Sequence, residues 1–240
     1  MCGRAYAIYK NEDLEDTYGI KLPLFFPTLE PNYNIPPQTQ IPAVIGIEAK
    51  KESKKQDQTN SKKPFLLGID FFQWGLIPFW AKDPKIASKL INARAETIDQ
   101  KPSFKAAIRS RRCSVPVSGF FEWKRETKSK TPYCFQASTE RILSLAGIYE
   151  LWTSPDTGEE KKTLCLITTE ANELMKPIHH RMPVILTSKQ RSLWLDPTLK
   201  DLNQIKPLLK PCEPDLLTCH AVSSRVNSPH NNDPTLLEPI

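Results

Sequence analysis

The residue with the most distinctive chemistry is the second one, Cys2. Removal of the initiator Met1, which is usual when residue two is small, leaves an α-amine and a thiol on adjacent carbons. Their unperturbed pKa values are about 8 and about 8.5, so both groups are partly nucleophilic at neutral pH. Such a 1,2-aminothiol condenses with an aldehyde to an imine, and its thiol then closes a five-membered thiazolidine ring.

The position of Cys2 also permits two other interpretations. The thiol can attack an acyl carbon with the α-amine as base, as in the N-terminal nucleophile hydrolases. Alternatively, the second residue is arbitrary in type and frayed, because chain termini are usually poorly ordered. The choice among the three depends on residues elsewhere in the chain.

Three polar residues lie in sequence surroundings that suit catalysis. Glu122 sits between Phe121 and Trp123, and a carboxylate flanked by aromatic rings suits general acid–base chemistry because burial disfavours its charge. His179 lies just before a predicted strand, and Asn92 begins a polar stretch directly after an apolar one. Structural interpretations stay open: a salt-bridged strand residue for Glu122 and a hydrogen-bonded structural imidazole for His179.

The remaining cysteines show no redox or metal-binding pattern. The sequence has no CxxC and no zinc-finger spacing. Three of these cysteines lie in the apolar, strand-like runs RCSVPV, YCFQA and TLCLIT, and we interpret them as small buried hydrophobic residues. Cys212, Cys219 and His220 lack a fourth ligand for a metal site. We therefore expect no bound metal and no disulfide framework.

Basic side chains are concentrated in two segments, although the net charge of +6 is mild. The lysine-rich stretch at about residues 50–63 has no apolar residue and is predicted to be a surface loop. Between Gln100 and Arg125 one acid, Glu122, accompanies seven bases: Lys101, Lys105, Arg109, Arg111, Arg112, Lys124 and Arg125. A basic stripe near aromatics is the footprint of a polyanion-binding surface, and a solvated helix face is the alternative.

Short strands punctuated by proline dominate the pattern, with 22 prolines in 240 residues. Helix start or stop signals occur only around residues 103–109, 172–176, 189–195 and 201–205. Strands and helices do not alternate as they do in a doubly wound sheet. We predict one α+β domain over residues 1–240, with a mostly antiparallel, barrel-like mixed sheet flanked by several short helices.

Composition excludes several classes of protein. With 39% hydrophobic residues, including five Trp, ten Phe and six Tyr, the chain is too apolar for a disordered protein. It has no apolar run of about 20 residues, which excludes a membrane-spanning helix. The first residues contain no apolar core of a secretory signal. The sequence therefore predicts a cytoplasmic protein, and we expect a monomer.

Seven motifs, in order along the chain, resemble those of the SRAP family (SOS response-associated peptidase), the abasic-site-processing proteins. They are MCGR, YNIPP, WGLIP, INARAET, KPSFKAAIRSRRCSVPVSGFFEWK, HHRMPVIL and VSSRVNSPHNND. The resemblance implies binding to single-stranded DNA and capture of an abasic site, whose sugar opens to an aldehyde. The aminothiol would form a stable thiazolidine crosslink that shields the lesion during DNA repair and reverses slowly.

The same resemblance assigns roles to four residues of the site. It implies that Cys2 is the nucleophile and that Asn92 orients the terminus or the sugar hydroxyls. Glu122 would be the acid and base that moves protons during imine formation and reversal. His179 would protonate or steady the oxygen of the opened deoxyribose. No metal or organic cofactor is required.

A second set of residues is expected to face the DNA: Arg4, Asn34, Trp74 and Arg94. The guanidinium groups would contact phosphates, and the aromatic ring would support an unstacked strand. The protein would then be nucleoid-associated when it is bound to DNA. This sequence departs from the family at His180, where an Asp commonly follows the first His.

Two other functions remain open from the sequence. A Cys-dependent peptidase or amidase of the N-terminal nucleophile type would use the Cys2 thiol with His179 as base and would turn over many times. A noncovalent single-strand-binding module would not need the thiol at all.

Overall fold

The computed structural model describes residues 2–48, 65–127 and 129–240. The lysine-rich loop expected at about residues 50–63 therefore lies outside the described residues. Within these three ranges, no helix is long and apolar enough to cross a bilayer.

The described residues form twelve strands, four α-helices and six short 3₁₀-helices. The strands are β1 (Ala5–Ala7), β2 (Asn32–Ile35), β3 (Gln40–Glu48), β4 (Phe65–Trp74), β5 (Asn92–Arg94), β6 (Arg112–Val117), β7 (Gly119–Arg125), β8 (Lys130–Ala137), β9 (Leu143–Thr153), β10 (Glu160–Glu170), β11 (Arg181–Pro183) and β12 (Leu217–Ala221). The α-helices are α1 (Asn11–Tyr18), α2 (Ala107–Ser110), α3 (Ser188–Trp194) and α4 (Leu202–Ile205). The 3₁₀-helices are Pro84–Lys89, Ala95–Thr97, Lys206–Leu208, Pro214–Leu216, Ser224–Asn227 and Pro234–Leu237.

Five strands close into a mixed barrel in the order β9, β10, β4, β3, β6 and back to β9. Neighbouring strands run antiparallel except β10 and β4, which are parallel. Two further short strands pair with β10: β5 in parallel and β11 antiparallel. β10 thereby brings the segment of Asn92 next to the segment that follows His179.

A second, antiparallel sheet packs against the barrel, with the strand order β12, β8, β7, β1 and β2. Side chains of both sheets share one buried cluster, which includes Cys2, Phe72, Trp74, Phe120 and Phe135. The Phe120 and Phe135 rings stack with centroids 5.1 Å apart. Because burial of such apolar surface stabilises the packed sheets, β1 is fixed between β2 and β7, with Cys2 just before its start.

The predicted fold class is confirmed, since the protein is α+β with a closed mixed barrel, antiparallel strands and short helices. The helix expected at 189–195 is α3, whose Thr187 cap accepts from the Gln190 N–H. The helix expected at 201–205 is α4, capped by Asp201. The three cysteines interpreted as core residues, Cys113, Cys134 and Cys165, are buried and free, which confirms that interpretation.

Two helix predictions need correction. The segment 172–176 forms only turns, because Pro177 has no N–H with which to continue a helix. The segment 103–109 is helical only from Ala107, in α2. The helix signals also missed α1, and two strands of four residues or fewer, β2 and β5, lie in segments described above only by their polar residues. The last of these is a three-residue strand that owes its conformation to pairing with β10.

Candidate active site

Cys2 lies three residues before the first residue of β1 and is fully buried in the cluster that both sheets share. Burial is the first cause that raises the pKa of its thiol well above the ordinary value, and the nearby Glu122 carboxylate is the second. The thiol therefore stays in its S–H form at neutral pH.

Asn92, the first residue of β5, is hydrogen-bonded to Cys2. Its Nδ2 donates to the carbonyl oxygen of Cys2 at 2.7 Å. Its Oδ1 is buried and has no hydrogen-bond partner among the described residues. An unpaired buried acceptor costs about 1–3 kcal/mol, so this oxygen is ready to accept from an N–H or O–H donor that enters the site.

Glu122 on β7 and His179 before β11 lie side by side. Glu122 is buried, and its Oε1 is 3.9 Å from Nδ1 of His179. The same Nδ1 lies 3.0 Å from both the N–H and the carbonyl oxygen of Arg181. The N–H donates to a bare Nδ1 and the carbonyl accepts from Nδ1–H, so the Arg181 backbone holds the His179 ring in either tautomer.

Arg181 holds the segment that carries His179 against the 3₁₀-helix after β5. Its guanidinium donates to both carboxylate oxygens of Glu96, at 2.6 and 3.0 Å, and to the carbonyl oxygen of Thr168 at 2.6 Å. Hydrogen bonding from Arg181 lowers the pKa of Glu96. Sequence reasoning missed this pair, although both residues lie in its motifs, INARAET and HHRMPVIL.

An open cavity of about 490 Å³ adjoins Glu122 and His179. Its other lining residues are Trp123, Arg125, Lys130 and Asn227. The indole Nε1 of Trp123 donates to Oδ1 of Asn227 at 2.7 Å, which orients the ring. The cavity therefore combines a carboxylate and an imidazole with an aromatic face and two cations.

Arg94 is exposed at the end of β5, two residues from Asn92. Alternate residues of a strand share a face, so Arg94 lies on the same side as Asn92, while the intervening Ala93 is buried. Arg4 is half-buried, and its Nη1 donates to Oδ1 of Asn34 at 2.6 Å. Both arginines are therefore placed near Cys2 or its partner Asn92.

Two expected DNA-facing residues need correction. Asn34 is buried, and its Nδ2 donates to the carbonyl oxygens of Ser228 and Asn231 at 2.9 and 2.8 Å. Its amide thus fastens the chain near residue 230 to β2 and is not available to DNA. Trp74 is fully buried, and its Nε1 donates to the carbonyl oxygen of Ile91 at 3.0 Å.

The exposed aromatics of the same motif lie a few residues further on. Phe79 and Trp80, in WGLIPFW, are 60% and 49% exposed.

The basic residues predicted to form one stripe between Gln100 and Arg125 do not all face the solvent. Arg112 is buried and Arg111 is paired with Glu150 at 2.7 Å, whereas Arg125 lines the cavity.

The fold and the site define a class of protein. It is a mixed β-barrel with a buried cysteine at position two, whose carbonyl accepts from the Asn92 amide and whose thiol lies near the Glu122 carboxylate and its neighbour, the His179 imidazole. A sequence profile of the family described as SOS response associated peptidase (SRAP) matches residues 1–229. The chain belongs to the SRAP family, as its motifs predicted.

Known relatives are similar to the chain over its whole length. It is 39% identical over 239 residues to the abasic site processing protein YoqW of Bacillus subtilis strain 168, covering 99% of each chain. It is 31% identical to the abasic site processing protein HMCES of Xenopus tropicalis, covering 100% of this chain and 78% of that protein. A crystal structure of a protein from Bacteroides thetaiotaomicron has a TM-score of 0.82 at 33% identity and covers 100% of both chains.

Proposed function

We propose that this protein captures abasic sites in single-stranded DNA by forming a thiazolidine with the α-amine and thiol of Cys2, once Met1 is removed. The observation that carries the proposal is the arrangement of Asn92, Glu122 and His179 around Cys2. The relatives named abasic site processing proteins supply the substrate. Because an abasic site is a DNA lesion, we place this activity in DNA repair.

The order of bond formation follows from the thiol chemistry. The α-amine adds first to the aldehyde carbon of the opened sugar, because the buried thiol of Cys2 stays protonated. Loss of one water gives the imine. The sulfur then adds to the imine carbon and its proton passes to the nitrogen, so the net reaction releases one water.

Two groups move the protons of this sequence. His179 donates to the sugar ring oxygen as the ring opens, and water takes the proton that the anomeric hydroxyl loses as it becomes the aldehyde. Glu122 removes a proton from the attacking amine and returns one to the departing hydroxyl. The buried Oδ1 of Asn92, which has no partner among the described residues, accepts from the amine or from a sugar hydroxyl. The same groups serve the reverse reaction, because each step is reversible.

The DNA strand would follow the cations and aromatic faces near the site. Arg94 lies beside Asn92, and Arg125 and Lys130 line the cavity next to Glu122. These cations suit phosphate contacts, which position the strand without reading its sequence. Phe79 and Trp80 are exposed and are suited to stacking on unpaired bases. Trp74, which was expected to support the unstacked strand, is buried.

The direct test is intact mass spectrometry after incubation with a single-stranded oligonucleotide that carries one abasic site. We expect a heat-stable species at the summed mass of oligonucleotide and Met1-free protein less one water. A processed N-terminus without this species would contradict the proposal. Turnover of peptides or amides would then support the Cys-dependent hydrolase, which the family's description as a peptidase keeps as the second candidate.

Glu122→Gln is expected to slow both formation and reversal of the adduct by about 10²–10⁴-fold, because the amide can neither accept nor return the proton. Binding to an intact single strand should change by less than about twofold. Single-turnover crosslinking assays at saturating DNA measure the rate. Glu126→Gln, in the exposed part of the same hairpin, is the matched control. A large loss of affinity would instead make Glu122 a structural residue.

Arg94→Ala is expected to weaken binding of single-stranded DNA regardless of its sequence and to flatten the salt dependence. Losing one phosphate contact lowers the slope of log K against log salt by about 0.7 on a single strand. Fluorescence anisotropy across a salt series measures both quantities. Lys21→Ala, which removes an exposed cation that is paired with Glu15, is the control. An unchanged slope would remove Arg94 from the phosphate contacts.

A further inference from the structure

The C-terminal motif VSSRVNSPHNND, residues 222–233, has no part in the chemistry proposed above, yet the structure holds it close to Cys2. Its 3₁₀-helix, Ser224–Asn227, buries Val226 in a cluster with side chains of β1 and β7. Nη1 of Arg4, two residues after Cys2, donates to the carbonyl oxygen of Val226 at 2.7 Å. The motif is therefore fastened to the chain that leads from Cys2 into β1.

Asn34 on β2 fastens the same motif a second time. Its buried Nδ2 donates to the carbonyl oxygens of Ser228 and Asn231 at 2.9 and 2.8 Å. Its Oδ1 accepts from Nη1 of Arg4 at 2.6 Å. Because a buried amide with both its donor and its acceptor groups engaged is held in one orientation, the backbone on both sides of Asn227 is fixed.

Asn227 is exposed on this fixed backbone and lines the cavity. Its Oδ1 accepts from Nε1 of Trp123 at 2.7 Å. The Trp123 side chain is half-buried and lines the same cavity beside Glu122 and His179. An indole has a single N–H donor, so its hydrogen bond to Asn227 sets the rotation of the ring within the cavity.

The substrate explains why an oriented ring is useful at this place. An abasic sugar carries no base, so each neighbouring base has lost the stacking partner on one side. The proposed function puts the abasic sugar at Glu122 and His179, and the base next to it then lies near the Trp123 ring. Bases of any type stack on aromatic side chains, because every base has a π-face.

Resting on the proposed function, we infer that Asn227 is a positioning residue for DNA binding. By accepting the indole N–H, it holds the Trp123 ring as the surface on which the base beside the abasic sugar stacks. Arg4 and Asn34 act one step further away, because they fix the motif that carries Asn227.

The test is a double-mutant cycle of Asn227→Leu and Trp123→Phe. Fluorescence anisotropy measures binding to a single strand with a tetrahydrofuran abasic analogue between two adenines; this analogue has no aldehyde and is not crosslinked. Asn227→Leu should weaken binding about fivefold, because the ring is no longer held for stacking. In the Trp123→Phe background, which has no indole N–H, the same change should alter the affinity by less than about 1.5-fold.

Two controls accompany the cycle. Ser228→Ala, at the next and also exposed position, should bind as the wild type does. The slope of log K against log salt should be the same for Asn227→Leu and the wild type, because no cation is removed. Melting temperatures establish that each variant is folded.

Equal losses in both backgrounds would overturn the inference, because Asn227 would then support the motif or contact the DNA without acting through the ring. Wild-type affinity of Asn227→Leu would overturn it as well. If the doubly substituted protein does not fold, a strand whose two neighbouring nucleotides also lack bases provides the test. On that strand the wild type and Asn227→Leu should bind equally, and a persistent difference would contradict the inference.

Failure of the inference is distinguishable from failure of the proposed function. A wild type that forms no Cys2-dependent adduct with an aldehyde-bearing strand would refute the proposed function. A wild type that crosslinks, but whose Asn227→Leu and Trp123→Phe losses are additive, would refute the role of Asn227 alone.

Discussion

Replacing Cys2 with serine is expected to abolish the heat-stable adduct with abasic single-stranded DNA and to leave one that only borohydride reduction preserves. Serine keeps the α-amine, so the imine with the opened sugar still forms. Its hydroxyl closes a ring that hydrolyses readily, whereas the thiazolidine retains its carbon–sulfur bond. The yield of heat-stable adduct should fall by about two orders of magnitude or more, as measured by denaturing gels and intact mass spectrometry.

The matched control for this prediction is Cys219→Ser, which alters a free cysteine outside the site that is only partly buried. It should crosslink as the wild type does. Because Cys2 is fully buried, a hydroxyl there costs about 1–3 kcal/mol if it finds no partner. The melting temperature of Cys2→Ser therefore has to be measured beside its reactivity. A folded Cys2→Ser protein with a wild-type yield of heat-stable adduct would rule out the thiazolidine.

The sequence identified residues whose chemistry is unusual for their surroundings. Four of these residues lie far apart in the chain: Cys2, Asn92, Glu122 and His179. Only the resemblance of their motifs to those of the family predicted that they belong to one site. The structure brings Asn92 to Cys2 through β5 and brings His179 to Glu122 through the turn before β11. Both placements depend on pairing with β10, a long-range contact that no local pattern contains.

The sequence could not separate buried from exposed members of one motif. Trp74 and Trp80 share a single motif, but a strand end packed between two sheets buries the first, and the turn after Pro78 exposes the second. Asn34 has the polar side chain expected at a DNA surface, yet its donors are satisfied by carbonyls about 190 residues later in sequence. Helix α1 was missed because its apolar positions are few, and of its residues Leu14 and Tyr18 are the buried ones.

Arg112 illustrates the same difficulty. It lies in the predicted DNA-binding stripe, but its side chain is buried and holds neighbouring segments together. Its guanidinium donates to five backbone carbonyl oxygens: those of Ile108, Arg109, Trp194, Asp196 and Leu199. It thereby joins β6 to helix α2 and to the end of α3. Burial lowers the pKa of Arg112 to about 10, so the side chain is still charged at neutral pH.

Arg112→Met is expected to destabilise the protein by about 4 kcal/mol or more, because buried carbonyls at two helix ends lose their donors together. Arg112→Lys should lose about half as much, since an ammonium keeps the charge but has only three donors. Urea unfolding measures both changes. Arg109→Met, on an exposed side chain of the same segment, should stay within about 0.5 kcal/mol of the wild type.

A buried charge does not always stabilise a fold, because desolvation opposes its hydrogen bonds and an apolar residue of similar size sometimes replaces it without loss. Arg112 differs from such ion pairs because its partners are carbonyls, which remain in place when the guanidinium is removed. Methionine fills the volume but donates to none of them, so their desolvation is left uncompensated. An Arg112→Met protein within about 1 kcal/mol of the wild type would mean that water replaces the guanidinium in this site.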